Sequence, residues 1–331
     1  MSSPLHRIVA VGDLHGDFSA WRDIAHAAQL INDQGHWIGG DAVLVQTGDV
    51  VDRGPDALKI IQDLMRLQGE AQRAHGQVVA LVGNHEAMNI TGDLRYVSAA
   101  DYAAYANSHS AQLRESVYAA NKTAFEAAYR QRDPQMTSDA VKQAWLKAYP
   151  AGRLEHQLAW SPNGAIGRWI VTNPAVALLD GNVFVHGGIS PTYAHLSIED
   201  INRQVAAALK AQTTDPQAII NDALGPLWYR GLATPNADND GGPSAPAAPA
   251  LPPIEDQVTS VLAAYGARRI VIAHTPNLSG IAVLYGGRLV RIDTGISDVY
   301  GGKVSYLEIL DGTPVPHVVE RSSPPTKQGA P

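Results

Sequence analysis

Five times along this chain a short apolar run breaks off into a compact cluster rich in Asp, Asn, His and Gly. Residues 8–11 lead into Gly12-Asp13-Leu14-His15-Gly16. Residues 42–46 lead into Gly48-Asp49-Val50-Val51-Asp52-Arg53-Gly54, and residues 77–82 into Gly83-Asn84-His85-Glu86. Further on, residues 182–185 run into His186-Gly187-Gly188, and residues 269–273 into His274-Thr275-Pro276. Short runs that are apolar without alternation read as strands buried on both faces. Between the first three, apolar residues recur at helical spacing: Phe18, Trp21, Ile24, Ala25 and Ala28, then Leu58, Ile61, Leu64 and Met65, with Pro55 placed for a first helical turn. Strand–helix–strand–helix–strand with short links specifies an α/β chain with a largely parallel, buried sheet. Open sheets of this kind bind ligands at the carboxyl ends of their strands, where these clusters fall.

The rest of the chain reads as additions to one catalytic domain spanning residues 1–320. Residues 98–149 are Ala-rich and polar, with Tyr102, Tyr105, Tyr118, Phe125, Tyr129 and Trp145 spread through helix-compatible sequence. They are expected to form a helical insertion, either a cap over the site or a packing module. Strands are expected again at 169–172, 175–179, 182–185, 269–273, 288–292 and 303–310. Ser197-Ile198-Glu199-Asp200 opens a helix in the manner of a capping box, and Gly266 stops another over 254–265. Residues 233–253 are rich in Pro, Ala and Gly and read as a flexible loop. Its Asp238-Asn239-Asp240-Gly241 lacks the downstream Glu of a calcium loop. Residues 321–331 are expected to be a disordered tail.

Composition excludes several chemistries. The chain has 331 residues, 45% of them hydrophobic, which suffices for a core without covalent staples. It has no cysteine, so disulfides, thiolate metal sites and cysteine nucleophiles are ruled out. A net charge of −7 without a Lys/Arg block argues against nucleic acid and anionic membranes as partners. The start of the sequence lacks the pattern of a signal peptide, and no run approaches the ~20 apolar residues of a membrane span. A soluble cytoplasmic protein is therefore expected.

The clusters have a chemical logic. Asp13 and His15 lie two apart, so an extended backbone sends both side chains to one side. The two oxygens of Asp49 can bridge two cations, and Asn84, His186 and His274 offer neutral O and N donors. Carboxylate with imidazole suits Mn, Fe or Zn. Two divalent ions bring +4, Asp13 and Asp49 −2, and a bridging hydroxide −1. The balance stays positive before Arg53 and Arg230 are counted, which favours a phosphate dianion on an acidic protein. Asp52 beside His85 favours an imidazolium able to give a proton to a leaving oxygen. The other histidines, His6, His26, His36, His75, His109, His156, His195 and His317, lack such settings and read as structural. Glu86 either orients a ligand or caps a helix. Tyr229 and Tyr300 read as packing residues.

Together, Gly12–Gly16, Gly48–Gly54, Gly83–Glu86, His186–Gly188 and Ala273–Pro276 resemble, in order, the motifs of the PPP branch of metallophosphatases. Within that branch the chain looks most similar to bacterial Shewanella-like and Rhizobiales-like protein phosphatases, through Gly225-Pro226-Leu227-Trp228-Tyr229-Arg230-Gly231 and Asp293-Thr294-Gly295-Ile296-Ser297. The resemblance implies the calcineurin-like metallophosphoesterase fold: a central β-sandwich of mixed sheets flanked by helices. It implies that Asp13 and His15 hold one divalent metal ion, that Asp49 bridges, and that Asn84, His186 and His274 hold the second, with manganese expected to serve in vitro. Arg53, Arg230 and Asn84 then bind the phosphate, and His85, oriented by Asp52, is the general acid. The substrate is a phosphorylated protein or peptide, on tyrosine or on serine and threonine, hydrolysed by direct attack of a metal-bridging hydroxide. Val82 stands where the eukaryotic serine/threonine enzymes usually carry Arg, so their substrate range is not inherited. Two alternatives remain: a bis-nucleoside polyphosphate hydrolase, which usually has Asp where this chain has Glu86, and a non-catalytic metal-binding scaffold.

Overall fold

Strands β1 (Arg7–Val11), β2 (Val43–Gln46) and β3 (Gln77–Ala80) lie side by side in parallel, with Val9 opposite Leu44 and Val45 opposite Val79. They belong to a computed structural model that describes residues 7–234 and 251–322. Helices α1 (Phe18–Ala27) and α2 (Ala57–Arg73) are the crossovers. Asp17 starts α1 by accepting the Ala20 N–H, and α2 starts behind Asp56, so Pro55 lies just outside it. The buried stripe of α2 is Ile60, Ile61, Leu64, Leu67 and Ala71; Met65, expected on that stripe, is exposed instead.

After α3 (Asn84–Thr91) comes a run of helices: α4 (Ala99–Tyr105), α5 (Ser110–Arg132), α6 (Ser138–Ala148), α7 (Arg153–Trp160) and α8 (Ala165–Thr172). The strand expected at 169–172 is thus the end of α8. Trp169-Ile170-Val171-Thr172 favours a strand locally, but Ile166, Ile170 and Val171 form one buried stripe that packs toward α7 and toward α9 (Ile198–Ala211). Tertiary burial overrides local preference here. Ser197 caps α9 as expected, its side chain accepting the Asp200 N–H.

The second sheet contains β4 (Val176–Leu179), β5 (Asn182–Val185), β6 (Arg269–Ile272), β7 (Ala282–Leu284) and β8 (Leu289–Arg291), in the order β4-β5-β6-β8-β7. Its centre, β5-β6-β8, is parallel. Helix α10 (Ile254–Tyr265) precedes β6 and ends on Gly266 in the left-handed conformation. The first sheet is completed by β9 (Ser305–Leu310) and β10 (Thr313–Val318), in the order β10-β9-β1-β2-β3. β7 and β10 were not expected. β10 contains Pro314 and Pro316, yet it sits at the sheet edge, where a missing N–H costs no ladder bond.

The two sheets share one core. Ile8, Ala10, Val43 and Val45 of the first meet Phe184, Val271 and Val290 of the second, while the alternate residues Val9, Leu44, Val183 and Ile270 face the helix layers. This double burial is why the strands read as unbroken apolar runs, and each fully buried aliphatic side chain contributes about 1.5–3 kcal/mol. The sandwich places parallel strands of both sheets with their carboxyl ends at one seam.

Asp238–Gly241, and most of the expected flexible loop around it, lie outside the described residues. Of the expected tail, Arg321 is fixed: its guanidinium is 2.9 Å from both Asp17 and Asp298.

Candidate active site

The loops after β1, β2, β3, β5 and β6 meet at this seam, with Asp49 at the centre. The Leu14 and His15 N–H groups both donate to the Asp49 carbonyl at 3.0 Å, tying the first loop to the second. A side chain on Gly48 or Gly83 would break the next joint. Gly48 has φ +95°, and a Cβ on Gly83 would come within 2.2 Å of the Asp49 Oδ1. The Asp49 Oδ1 accepts the His85 N–H at 2.9 Å, while its Oδ2 lies 3.3 Å from the His186 Nε2 and 3.9 Å from the Nε2 of both His15 and His85. Glu86 caps a helix, one of the two alternatives read for it, and also reaches the Asp49 loop. Its carboxylate accepts the Gly83 and Asp49 N–H groups at 2.8 Å and the Val50 N–H at 2.9 Å, so it caps α3 and holds the bridging loop.

Backbone carbonyls set the imidazoles. The His15 Nδ1 is 2.9 Å from the Val51 carbonyl and the His186 Nδ1 is 2.9 Å from the Thr47 carbonyl. A carbonyl accepts only, so each Nδ1 carries a proton and each Nε2 faces Asp49; the neutral His15 turns a lone pair there, whereas the His186 Nε2 also meets the Asn84 Oδ1. Burial and the nearby His85 depress His15 to about 3, and burial with His186 holds His274 well below its ordinary value, so both rings stay neutral. The His274 Nε2 is buried without a hydrogen-bond partner. Asp13 is pushed well above the usual carboxylate range, by burial first and then by Asp293 and Asp49. Unpartnered nitrogen, inward lone pairs and crowded carboxylates are the donor set a cation relieves. The donor atoms of Asp49, His186 and His274, and those of Asp49, His15 and His85, each fall within 4.8 Å of one another. Asn84 joins the former set, its Oδ1 2.9 Å from the His186 Nε2, and Asp13 borders both, accepting the His274 N–H at 3.3 Å and lying 3.9 Å from His15. The residues therefore fit two divalent ions that share Asp49.

His85 differs from His15 and His274. Its Nδ1 donates to Asp52 at 2.6 Å, and Asp52 is held from its other oxygen by the Asn89 amide at 2.9 Å. Burial alone would lower its pKa, but the Asp49 charge and the Asp52 hydrogen bond outweigh it and hold His85 above its ordinary value. This ring is poised to carry a proton while His15 and His274 are not; at His186 too, burial is outweighed by the Asp49 charge and hydrogen bond, which hold it above its ordinary value.

Arg53 follows Asp52 and lies against Tyr96 and Tyr300, with ring centroids 4.4 and 5.4 Å from its guanidinium carbon. Arg230 stands on the other flank, donating to the His274 carbonyl and the Thr275 hydroxyl at 3.1 Å. Its segment is anchored because the Gly187 N–H donates to the Pro226 carbonyl at 2.9 Å. His15, Asp49, Asp52, Arg53 and His274 all adopt positive φ, a conformation costing about 1–3 kcal/mol per residue that the surrounding loops impose.

All the expected site residues thus come together. Of the two tyrosines read as packing, Tyr229 is buried and donates to Gln257, whereas Tyr300 lies 5.3 Å from the His15 ring, inside the site. Three neighbours were not read from the sequence. Asp293, buried beside Asp13, follows β8 and obeys the same strand-end rule. Asn89 lies one helical turn after His85 on α3. Tyr96 sits between helices with no periodic signal.

A family model for calcineurin-like phosphoesterases matches residues 6–292. The chain belongs to the calcineurin-like phosphoesterases. The phosphoesterase is 30% identical over 307 residues to Shewanella-like protein phosphatase 2 of Arabidopsis thaliana, covering 88% of this chain and 71% of that protein. It is 28% identical over 312 residues to an uncharacterised protein of Schizosaccharomyces pombe, covering 91% and 76%. Among solved structures it matches a cold-active protein tyrosine phosphatase with TM-score 0.68 and 21% identity, over 95% of this chain and 76% of that one. A serine/threonine phosphatase of Saccharomyces cerevisiae matches with TM-score 0.51 and 14% identity, over 98% and 82%. The structural likenesses show the fold; the family model and the Arabidopsis relative place the phosphoesterase among metallophosphatases.

Proposed function

We propose that this metallophosphatase hydrolyses phosphate monoesters on proteins or peptides, at phosphotyrosine, phosphoserine or phosphothreonine. The supporting observation is the contrast around Asp49: burial keeps His15 and His274 neutral, while the Asp49 charge and the Asp52 hydrogen bond equip His85 to hold a proton. Asp13, His15, Asp49, Asn84, His186 and His274 would hold two divalent cations, which would supply an acidified water and positive charge for displacement at phosphorus. The donor set suits Mn, Fe or Zn, with manganese the ion to load first. Arg53, Arg230 and the Asn84 amide bind and orient the phosphate oxygens. His85 then gives its Nε2 proton to the leaving oxygen as the P–O bond breaks, and Asp52, fixed by Asn89, keeps the imidazolium aligned and stabilised.

The test is turnover by metal-stripped protein reloaded with manganese, offered a phosphotyrosine peptide, a phosphothreonine peptide and a dinucleoside tetraphosphate. Release of phosphate from a peptide is the expected result. Cleavage of the dinucleotide alone would overturn the reading.

A further inference from the structure

Arg53 is held in an unusual way. Among the described residues no carboxylate lies within ion-pair reach of its guanidinium, although the site is crowded with acids. Aromatic faces flank it instead, Tyr96 at 4.4 Å and Tyr300 at 5.4 Å. A guanidinium stacked on rings keeps its N–H donors free for another ligand. The two rings are not equivalent. Tyr300 is 5.3 Å from the ring of His15, which faces Asp13 and Asp49. Tyr96 is 5.1 Å from the ring of His85. Tyr96 is also pinned, its carbonyl accepting the Arg53 N–H at 3.0 Å, while its side chain is 36% exposed.

From this asymmetry we infer that Tyr96 contacts the leaving group and favours an aryl phosphate, the phosphorylated tyrosine side chain, over a phosphorylated serine or threonine. The inference rests on the phosphatase reading above and on His85 as the proton donor. The leaving oxygen must approach the His85 Nε2, so whatever that oxygen carries emerges on the side where Tyr96 stands. A phenyl ring there can stack on or meet the edge of Tyr96, with Arg53 between the two tyrosines gripping the phosphate. The short aliphatic stem of a serine or threonine phosphate has no ring to offer that face. Tyr300, whose ring contact is with His15 and not with His85, braces Arg53 without meeting the leaving group.

The experiment compares kcat/KM on two peptides of one sequence, carrying phosphotyrosine or phosphothreonine, for the manganese-loaded enzyme and its Tyr96→Leu, Tyr96→Phe and Tyr300→Leu variants. An aromatic contact predicts that Tyr96→Leu lowers the tyrosine-to-threonine ratio by about 2- to 10-fold. Tyr96→Phe, which keeps the ring, preserves the ratio. Tyr300→Leu lowers both rates together and leaves the ratio unchanged. Equal losses on both peptides with Tyr96→Leu would reduce Tyr96 to a brace for Arg53, and an unchanged pair of rates would remove it from the site; either overturns the inference while leaving the phosphatase reading intact. A parent enzyme that cleaves neither peptide would take down both.

Discussion

The loops at the sandwich seam and the helices inserted after α3 are built on opposite plans. At the seam, charged and polar side chains are almost entirely buried, and non-glycine residues are held at positive φ. In the insertion, α5 buries only Ser110 and Tyr118, and the helices meet through a small aromatic stack: Trp145 lies 5.4 Å from Tyr118 and Phe125 and 4.8 Å from Tyr149. The seam is rigid because two sheets support it, so it can carry strain and desolvated charge. The insertion has a core of its own and few ties to the sheets. Chemistry belongs where the framework is over-determined.

The comparison can be broken most forcefully at His85. His85→Asn is expected to cut kcat by about 10²–10⁴-fold, while two metals per chain and the melting temperature are retained. A smaller fall on substrates with better leaving groups would identify the lost function as proton donation, and a near-normal rate on all substrates would remove His85 from the mechanism. Trp145→Ala tests the other region. It is expected to cost the insertion about 3–5 kcal/mol, seen as faster hydrogen exchange across α5 and α6 with unchanged protection of β1 and β6. Uniform loss across the molecule would show that the two regions unfold as one.

Acid provides a gentler probe. Burial first, then Arg153, lowers His156 to about 4 from its ordinary 6.5. Its ring lies among Tyr102, Tyr105 and Trp160, where α4 meets α7. Because the folded pKa is depressed, the unfolded chain binds the proton first. Stability is unaffected above pH 6.5, falls as pH drops from 6.5 to about 4, and levels below that, for a total on the order of 3 kcal/mol. His156→Phe should flatten this pH dependence in the exchange rates of α4 and α7. The smallest effect is expected from Thr137→Ala, which removes the side-chain acceptor of the Ala140 N–H at the start of α6 and should cost about 1 kcal/mol, read as a slight fall in α6 protection and no change in kcat.

The same contrast explains what the sequence disclosed. β1, β2, β5 and β6 were legible because both of their faces are buried, and the ligand-bearing clusters were legible because chemistry sits at strand ends. β10 was hidden by Pro314 and Pro316, which only an edge position tolerates, and the helical end of α8 was hidden because Trp169 to Thr172 individually favour a strand. Asp293 obeyed the strand-end rule but stands outside the histidine-bearing clusters that drew the reading. Tyr96 was invisible for a different reason: it reaches Arg53 from an irregular segment, and no periodicity points a loop residue at a target 43 positions away in the sequence.

The seam also has a consequence for how the molecule comes into being. Asp13 and His274 are 261 positions apart and already share a hydrogen bond. Under the proposed ligation, metal held by both sheets would act as a reversible cross-link in a chain that has no cysteine to make a permanent one. During translation the first sheet can pair its parallel strands early, but the proposed ligand set would be complete only after residue 274 has been made and the second sheet has docked. Under that ligation metal capture would be a late event that reports correct assembly, and removing the ions would withdraw stabilisation from the joint between the two sheets.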